Sequence, residues 1–359
     1  MLVLCPFPQG VAAGQRLKYE QYFADWRDAG YEIDVSSFMD AAMWRVAYEP
    51  GKLAQKVAGT LRGHARRLRD MTRIRRYDVV YVFMWVTPFG TSVFERLTRR
   101  LARSLVFDVE DNVLTEQAIP KDYNPNHLLR RLKGPAKARY LIRHADHVIT
   151  SSPYLNDFCL AINECKRCTY ISSSVDADRF VPANDYSNDH VVTVGWTGTF
   201  SSKIYLDMLQ PVFQQLAARV PFRLKVIGNF DYELEGVDLE VVRWTNEREV
   251  EDLQTFDIGV YPLPIDDWVL GKSGLKAIQY MMFGLPAVAT KVGTTPMIID
   301  HDVNGLLVES DSDWLEALER LIRDPALRER LGTAARKKAE ANYSTRAIAQ
   351  VYRDVLTGL

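Results

Sequence analysis

Short apolar segments recur along this chain at the spacing of alternating strands and helices, and that alternation restricts the fold more than any other feature. Residues 78–84 (Asp-Val-Val-Tyr-Val-Phe-Met) and 104–109 (Ser-Leu-Val-Phe-Asp-Val) are near-continuous apolar runs, the pattern of a strand buried on both faces. Residues 2–6, 31–36 and 146–151 read as further strands, and the stretch 15–29, closed by Gly30, reads as a helix. Strands that alternate with helices imply a parallel sheet covered on both sides.

After a polar, turn-rich stretch at 181–189 the alternation restarts. Strands are expected at 191–195, 222–228, 239–244, 258–261 and 287–290, with helices near 203–219, 247–255 and 272–283 and a charged helical tail from Trp314. The 359 residues therefore divide into an N-terminal Rossmann-like domain at 1–183, a second at 184–340, and a C-terminal helix at 341–359 that folds back toward the first. The expected fold class is α/β, two Rossmann-like domains facing a cleft. Charge divides the same way. Residues 1–180 hold 27 Lys+Arg against 20 Asp+Glu, and residues 181–359 hold 18 against 26.

No apolar stretch reaches the roughly 20 residues of a membrane span, and residues 1–8 read as a core strand without the basic start or cleavage site of an export signal. The expected location is cytoplasmic. Cys5, Cys159, Cys165 and Cys168 are then free thiols by default, and Cys165-x-x-Cys168 lacks the second ligand pair of a structural zinc site.

Two segments carry phosphate-binding chemistry. Gly195-Trp-Thr-Gly198-Thr199-Phe-Ser-Ser-Lys203 follows a strand and opens a helix, so a phosphate can approach backbone N–H groups; a plain strand–helix turn has the same residues. The longer segment runs from Asp266 through Gly271-Lys272-Ser273-Gly274-Leu275-Lys276 to Gln279 and Gly284-Leu-Pro286. It places Lys272 and Ser273 in the expected first turn of a helix, where free N–H groups and a cation suit a diphosphate.

This second segment resembles the donor-site motif of the retaining glycosyltransferase family four, of GT-B fold. Gly14-Gln-Arg16, the pair of segments 145–152 and 171–182, and the pair 292–299 and 304–308 resemble other parts of that family in the same order, so the resemblance covers nearly the whole chain. It implies a nucleotide-sugar donor held by Gly14, Arg16, Gly198, Thr199, Lys203, Trp244, Asp267, Lys272, Ser273, Gly274, Leu275, Lys276 and Gln279. It also implies an acceptor held by the N-terminal domain, and neither metal nor cofactor. Three departures stand out. The family's two donor-helix glutamates correspond to Gly271 and Gln279; Gln279 retains an amide for a ribose diol, and Asp266 or Asp267 is left to reach the sugar. The family's arginine near Gly198 is missing, which leaves the charge to Lys203, Lys272 and Lys276. A histidine common after the fourth strand is replaced by Asp108, Glu110, Asp111 and Asn112, as in a polysaccharide-related branch, and Glu110 and Asp111 become the candidate catalytic carboxylates.

Each reading has a plainer counterpart. Glu110 and Asp111 also suit strand-end turns, Lys276 suits an exposed helix face, Trp244 suits a core, and Asp266-Asp267 suits a solvated loop. In the basic run 61–76, Leu61, Ala65, Leu68 and Thr72 share one helical face. That run fits peripheral contact with an anionic membrane, on its inner face, or a solvated helix set against its own sheet. The expected activity is transfer of a sugar from a nucleotide-sugar to a glycan, lipid-linked or small-molecule acceptor, with no nucleic-acid partner. The alternatives are another GT-B enzyme, an epimerase or a phosphorylase, or a non-catalytic nucleotide-sugar-binding protein.

Overall fold

The computed structural model describes residues 1–47, 49, 51–110, 135–183, 186 and 190–359. Two compact units emerge. Unit 1 comprises Met1–Ser172, Leu270–Ser273 and Ile348–Leu359; unit 2 comprises Ser173–Val269 and Gly274–Ala347.

Unit 1 is built on six parallel strands: β1 Leu2–Cys5, β2 Asp34–Ser37, β3 Val79–Phe83, β4 Ser104–Val109, β5 His147–Thr150 and β6 Cys168–Tyr170, in the order β2-β1-β3-β4-β5-β6. Alternate residues of one strand serve two different cores. Val3, Tyr81, Val106 and Ile149 meet Tyr22, Trp26 and Tyr352 on one face. Leu4, Val82, Phe107 and Val148 meet Leu141, Ile142 and Leu155 on the other. Burial on both faces is the reason these strands are apolar at nearly every position.

Counting only helices of eight residues or more, unit 1 carries α1 Leu53–Arg73, α2 Val93–Leu101, α3 Pro135–His144 and α4 Pro153–Ile162. The continuous helix expected at 15–29 is instead three short pieces, Ala13–Arg16, Glu20–Tyr22 and Phe23–Asp28. Its residues serve local contacts: the Gln15 amide exchanges hydrogen bonds with Phe7 N and O at 3.3 and 3.1 Å.

Unit 2 has six parallel strands, β7 Thr193–Gly198, β8 Arg223–Gly228, β9 Asp238–Arg243, β10 Ile258–Tyr261, β11 Ala287–Thr290 and β12 Gly305–Val308, ordered β12-β11-β10-β7-β8-β9. This is the dinucleotide-fold order, with its topological switch point between β7 and β10. Helices α5 Gln210–Ala217, α6 Leu275–Met282, α7 Asp311–Arg323 and α8 Pro325–Tyr343 accompany it. The helix expected over 203–219 is interrupted after Lys203–Asp207, and Pro211 sits in the first turn of α5.

The tail is split. After Ser344, α9 Thr345–Thr357 carries Ile348, Tyr352, Val355 and Leu356 into the core of unit 1. Tyr352 is fully buried, its hydroxyl donating to the Lys18 carbonyl at 3.3 Å. Among the described residues the four cysteines are free, and no helix is long and apolar enough to cross a membrane.

Candidate functional site

In unit 2 the candidate groups collect at the carboxyl edge of the sheet. Gly198 closes β7, and a Cβ there would lie 2.3 Å from the Trp196 ring and 2.7 Å from Ser202 Oγ, so only glycine fits. Thr199 then caps the turn Phe200–Ser202, exchanging hydrogen bonds with Ser202 in a capping box. Asn229, beyond β8, accepts from Phe200 N at 2.9 Å and ties the turn to the neighbouring strand end.

Lys276 lies on the first turn of α6. Its ammonium stands 4.8 Å from the Trp196 ring centre, 5.7 Å from that of Tyr261, and 3.5 Å from Ser202 Oγ. Trp196 belongs to β7 and Tyr261 to β10, so this half-buried cation rests on aromatic rings from the two strands that flank the switch point. An ordinary exposed helix face does not produce that arrangement.

Other candidates differ in their engagement. Lys203 is paired with Asp207 at 2.8 Å, its ammonium 5.1 Å from the Tyr232 ring. Trp244, half-buried, follows β9 and donates its backbone N–H to Gly228 O at 2.9 Å, on the same sheet edge. Gln279 is buried within α6. Asp266 and Asp267 are exposed after β10, and Asp266 accepts from Val269 N at 3.0 Å, which makes it a turn residue.

The helix expected from Lys272 begins later. Gly274 has φ +75°, a left-handed conformation that breaks the helical run, and α6 starts at Leu275. Lys272 and Ser273 follow the short 3-10 helix Val269–Gly271 and lie in the stretch Leu270–Ser273 that belongs to unit 1, where Ser151 Oγ donates to Gly271 O at 3.1 Å. The segment read as one motif is thus divided between the two units.

In unit 1 the carboxyl edges of β1 and β4 bring Gly14 and Glu110 together: a Cβ on Gly14 would stand 2.6 Å from Glu110 Oε2. Arg16, buried, lies two residues on. Gln15, inside the Gly14-Gln-Arg16 motif, and Glu20, which has no sequence signal, hold the preceding loop. Gln15 Nε2 donates to Glu20 Oε1 at 2.6 Å, and Gly10 N donates to Glu20 Oε2 at 2.8 Å. Burial raises the Glu20 carboxyl above its usual range, and the hydrogen bonds from Gln15 and Gly10 oppose that rise. Asp108 is wholly buried in an ion pair with Lys18 at 2.6 Å and accepts from the Tyr81 hydroxyl. Desolvation raises its pKa, and Lys18 opposes the shift. Asp108 therefore fixes the end of β4 from inside. Asp111 lies outside the described residues.

Both halves of the chain match known protein families. Residues 191–324 match the family described as glycosyl transferases group 1, and residues 19–170 match the glycosyl transferase 4-like domain. The chain thus carries a glycosyl transferase 4-like domain followed by a glycosyl transferases group 1 domain. A D-inositol 3-phosphate glycosyltransferase of Corynebacterium jeikeium is 29% identical over 212 residues, 50% of this chain and 49% of that protein. One from Saccharomonospora viridis is 35% identical over 88 residues, 23% of this chain and 20% of the relative. The chain thus spans about half, or less, of the length of these relatives. Among solved structures, the sucrose-phosphate synthase of Thermosynechococcus elongatus superposes with a TM-score of 0.72 at 17% identity, covering 100% of both chains. Anabaena HepE in complex with UDP and glucose gives 0.70 at 17%, again over 100% of both. At such identity the shared property is the GT-B fold, which this chain has in two six-stranded parallel sheets.

Proposed function

We propose that this glycosyltransferase moves a sugar from a nucleotide-sugar donor to a hydroxyl of a glycan, lipid-linked or small-molecule acceptor, with retention at the anomeric carbon and without a divalent metal. The observation that carries the reading is Lys276, a half-buried cation on the rings of Trp196 and Tyr261 at the β7/β10 switch point. When the anomeric C–O bond to the nucleotide diphosphate breaks, negative charge grows on the leaving oxygen. A cation already fixed there stabilises that charge more than the ground state. The Thr199 turn supplies hydroxyls beside it, Trp244 offers a flat ring for the base, and Lys272 and Ser273 are further contacts to the diphosphate. Glu110 is the proposed carboxylate for acceptor or transferred sugar, with Asp111 beside it in sequence, and unit 1 is the part that meets the acceptor, at an anionic membrane surface where that acceptor is lipid-linked.

Calorimetric titration with UDP, the nucleotide bound in the HepE structure, then GDP and ADP, tests the donor. Proton NMR of the product reads the anomeric configuration. Binding of no nucleotide diphosphate would refute the proposal. Gly271 and Gln279, where the resembling family has glutamates, favour one rival, nucleotide-sugar binding without turnover. Product formation with a simple hydroxylic acceptor separates the two.

A further inference from the structure

Helix α1 is inverted relative to an ordinary surface helix. Over its 21 residues it buries Gly59, Gly63, Arg67 and Asp70. It exposes Leu53 (73%), Val57 (50%), Leu61 (67%) and Leu68 (59%), with Ala54, Ala58 and Ala65 also exposed. At about 100° per residue these seven form one apolar sector roughly 140° wide. The orientation is locked from inside. Arg67 donates to the carbonyls of Cys5 and Val86 and to Ser36 and Asp70 at 2.8–3.1 Å. Gly59 and Gly63 admit Met43 and Phe38 so closely that a Cβ would come within 2.7 and 2.6 Å of them. Turning the leucines inward would strand a buried guanidinium and a buried carboxylate.

The neighbouring α2 repeats the inversion. It buries Glu95 and Thr98 and exposes Val93 (52%) and Leu97 (37%). His64 of α1 and Phe94 of α2 meet with ring centres 5.8 Å apart, so the two apolar faces are neighbours.

Charge identifies the occupant. Residues 41–76 hold ten Lys+Arg against two Asp+Glu, in a chain whose net charge is −1. Arg62 and Arg69 border the apolar sector, and behind them a cavity of about 290 Å³ is lined in part by Arg66, Arg69, Arg73, Asp40 and Asp70. Arg69, Arg75 and Arg76 form no ion pair among the described residues. A second copy of the chain would bring two such cationic clusters together, whereas an anionic lipid surface supplies apolar depth and negative headgroups at once.

We propose that the α1/α2 face of unit 1 docks on an anionic phospholipid bilayer, with Leu53, Val57, Leu61 and Leu68 entering the headgroup–acyl boundary and lipid phosphates meeting the arginine-lined cavity. This deepens the sugar-transfer reading by naming the surface on which a lipid-linked acceptor is met, and it is tested independently of that reading. Full-length protein is co-sedimented with vesicles of phosphatidylcholine alone and of phosphatidylcholine with phosphatidylglycerol. Binding is expected only to the anionic vesicles, weakening with salt as the Debye length shortens. Leu61→Ser with Leu68→Ser, and separately Leu53→Ser with Val57→Ser, should each weaken it about tenfold or more, since buried apolar area is lost. Arg69→Glu should remove the preference for anionic lipid. Nucleotide affinity should be unchanged in all three; a protein that docks but binds no nucleotide would refute the transfer reading and leave the docking intact. Equal binding to neutral vesicles would overturn the proposal. So would wild-type binding by either apolar double variant, or a dimer in vesicle-free solution that those variants convert to monomer.

Discussion

The backbone at Gly14 and the carboxylate of Glu110 leave no room for a side chain between them, with Oε2 only 2.6 Å from the position a Cβ would take. The atom in the way is the tip of a flexible side chain, so a methyl group at position 14 displaces the carboxylate before it disturbs the fold. Gly14→Ala should therefore change unfolding free energy by less than about 1 kcal/mol while lowering kcat. Glu110→Gln, which keeps the shape and loses the charge, should lower kcat as well. Denaturant melts alongside initial rates separate the effects. Full turnover in both variants would leave Glu110 as a strand-end turn residue.

The two lysines nearest the Thr199 turn should behave differently. Lys276 rests on aromatic rings at the switch point, whereas Lys203 is already paired with Asp207 at 2.8 Å. Lys276→Ala should weaken nucleotide-diphosphate binding by about 1.5–3 kcal/mol, the range for a charge-assisted hydrogen bond, and Lys203→Ala by clearly less. Isothermal calorimetry decides it, and equal losses would show that the ion pair does not hold Lys203 back.

If Lys276 takes the diphosphate charge, as proposed above, a divalent cation is dispensable for that task. Turnover should survive excess EDTA with its rate nearly intact. Activity abolished by chelation and restored by magnesium or manganese would refute metal independence.

The sequence disclosed most where one physical demand acts on every residue of a segment. β3 and β4 are buried on both faces, so their composition alone marks them as strands. β6 is a short edge strand, half-buried at every position, and β12 follows a tight loop; neither announced itself by periodicity. The helix start at Lys272 was misplaced because a glycine near a helix N-terminus reads as a phosphate-friendly turn, while the left-handed φ of Gly274 that delays the helix is a backbone property. Lys276 was legible as a cation in a motif, but the rings of Trp196 and Tyr261 beneath it come from strands 80 and 15 residues away in the chain. The face of α1 carries the same lesson. Periodicity finds the leucine side, and ordinarily that side is turned inward; the buried Arg67–Asp70 pair that turns it outward depends on carbonyls of Cys5 and Val86 that no pattern in the helix reveals.

The last turns of the chain hold unit 1 together. Tyr352 is fully buried, with Tyr22 4.7 Å and Trp26 5.7 Å from it between ring centres. Tyr352→Ala should cost about 3–5 kcal/mol, the range for a large aromatic removed from a core. Tyr352→Phe keeps the ring and loses only the hydroxyl, which donates to Lys18 O and is hydrogen-bonded with Tyr81, so it should cost only about 1–2 kcal/mol. Urea melts followed by far-ultraviolet circular dichroism, compared between wild type and variants, measure both costs. Equal stability of the wild type and the alanine variant would mean that α9 adds nothing to the core.

His147 provides a pH-dependent check on the same unit. It opens β5 with Nε2 2.8 Å from Thr169 Oγ1, and burial, reinforced by Arg167, lowers its pKa from 6.5 to about 4. The unfolded chain takes up this proton as pH falls through 6.5, while the folded protein does not until about pH 4. The contribution of His147 to stability is therefore complete above pH 6.5 and is lost progressively as pH falls toward 4. Carboxylates titrate in the same window, so the informative quantity is a difference between proteins. His147→Gln retains a hydrogen-bonding group for Thr169 and cannot titrate. Between pH 7 and pH 5 the wild type should lose more unfolding free energy than this variant, measured by urea titration at both pH values. Parallel losses would show that the imidazole is protonated in the folded protein at pH 5, and that its burial does not set its charge.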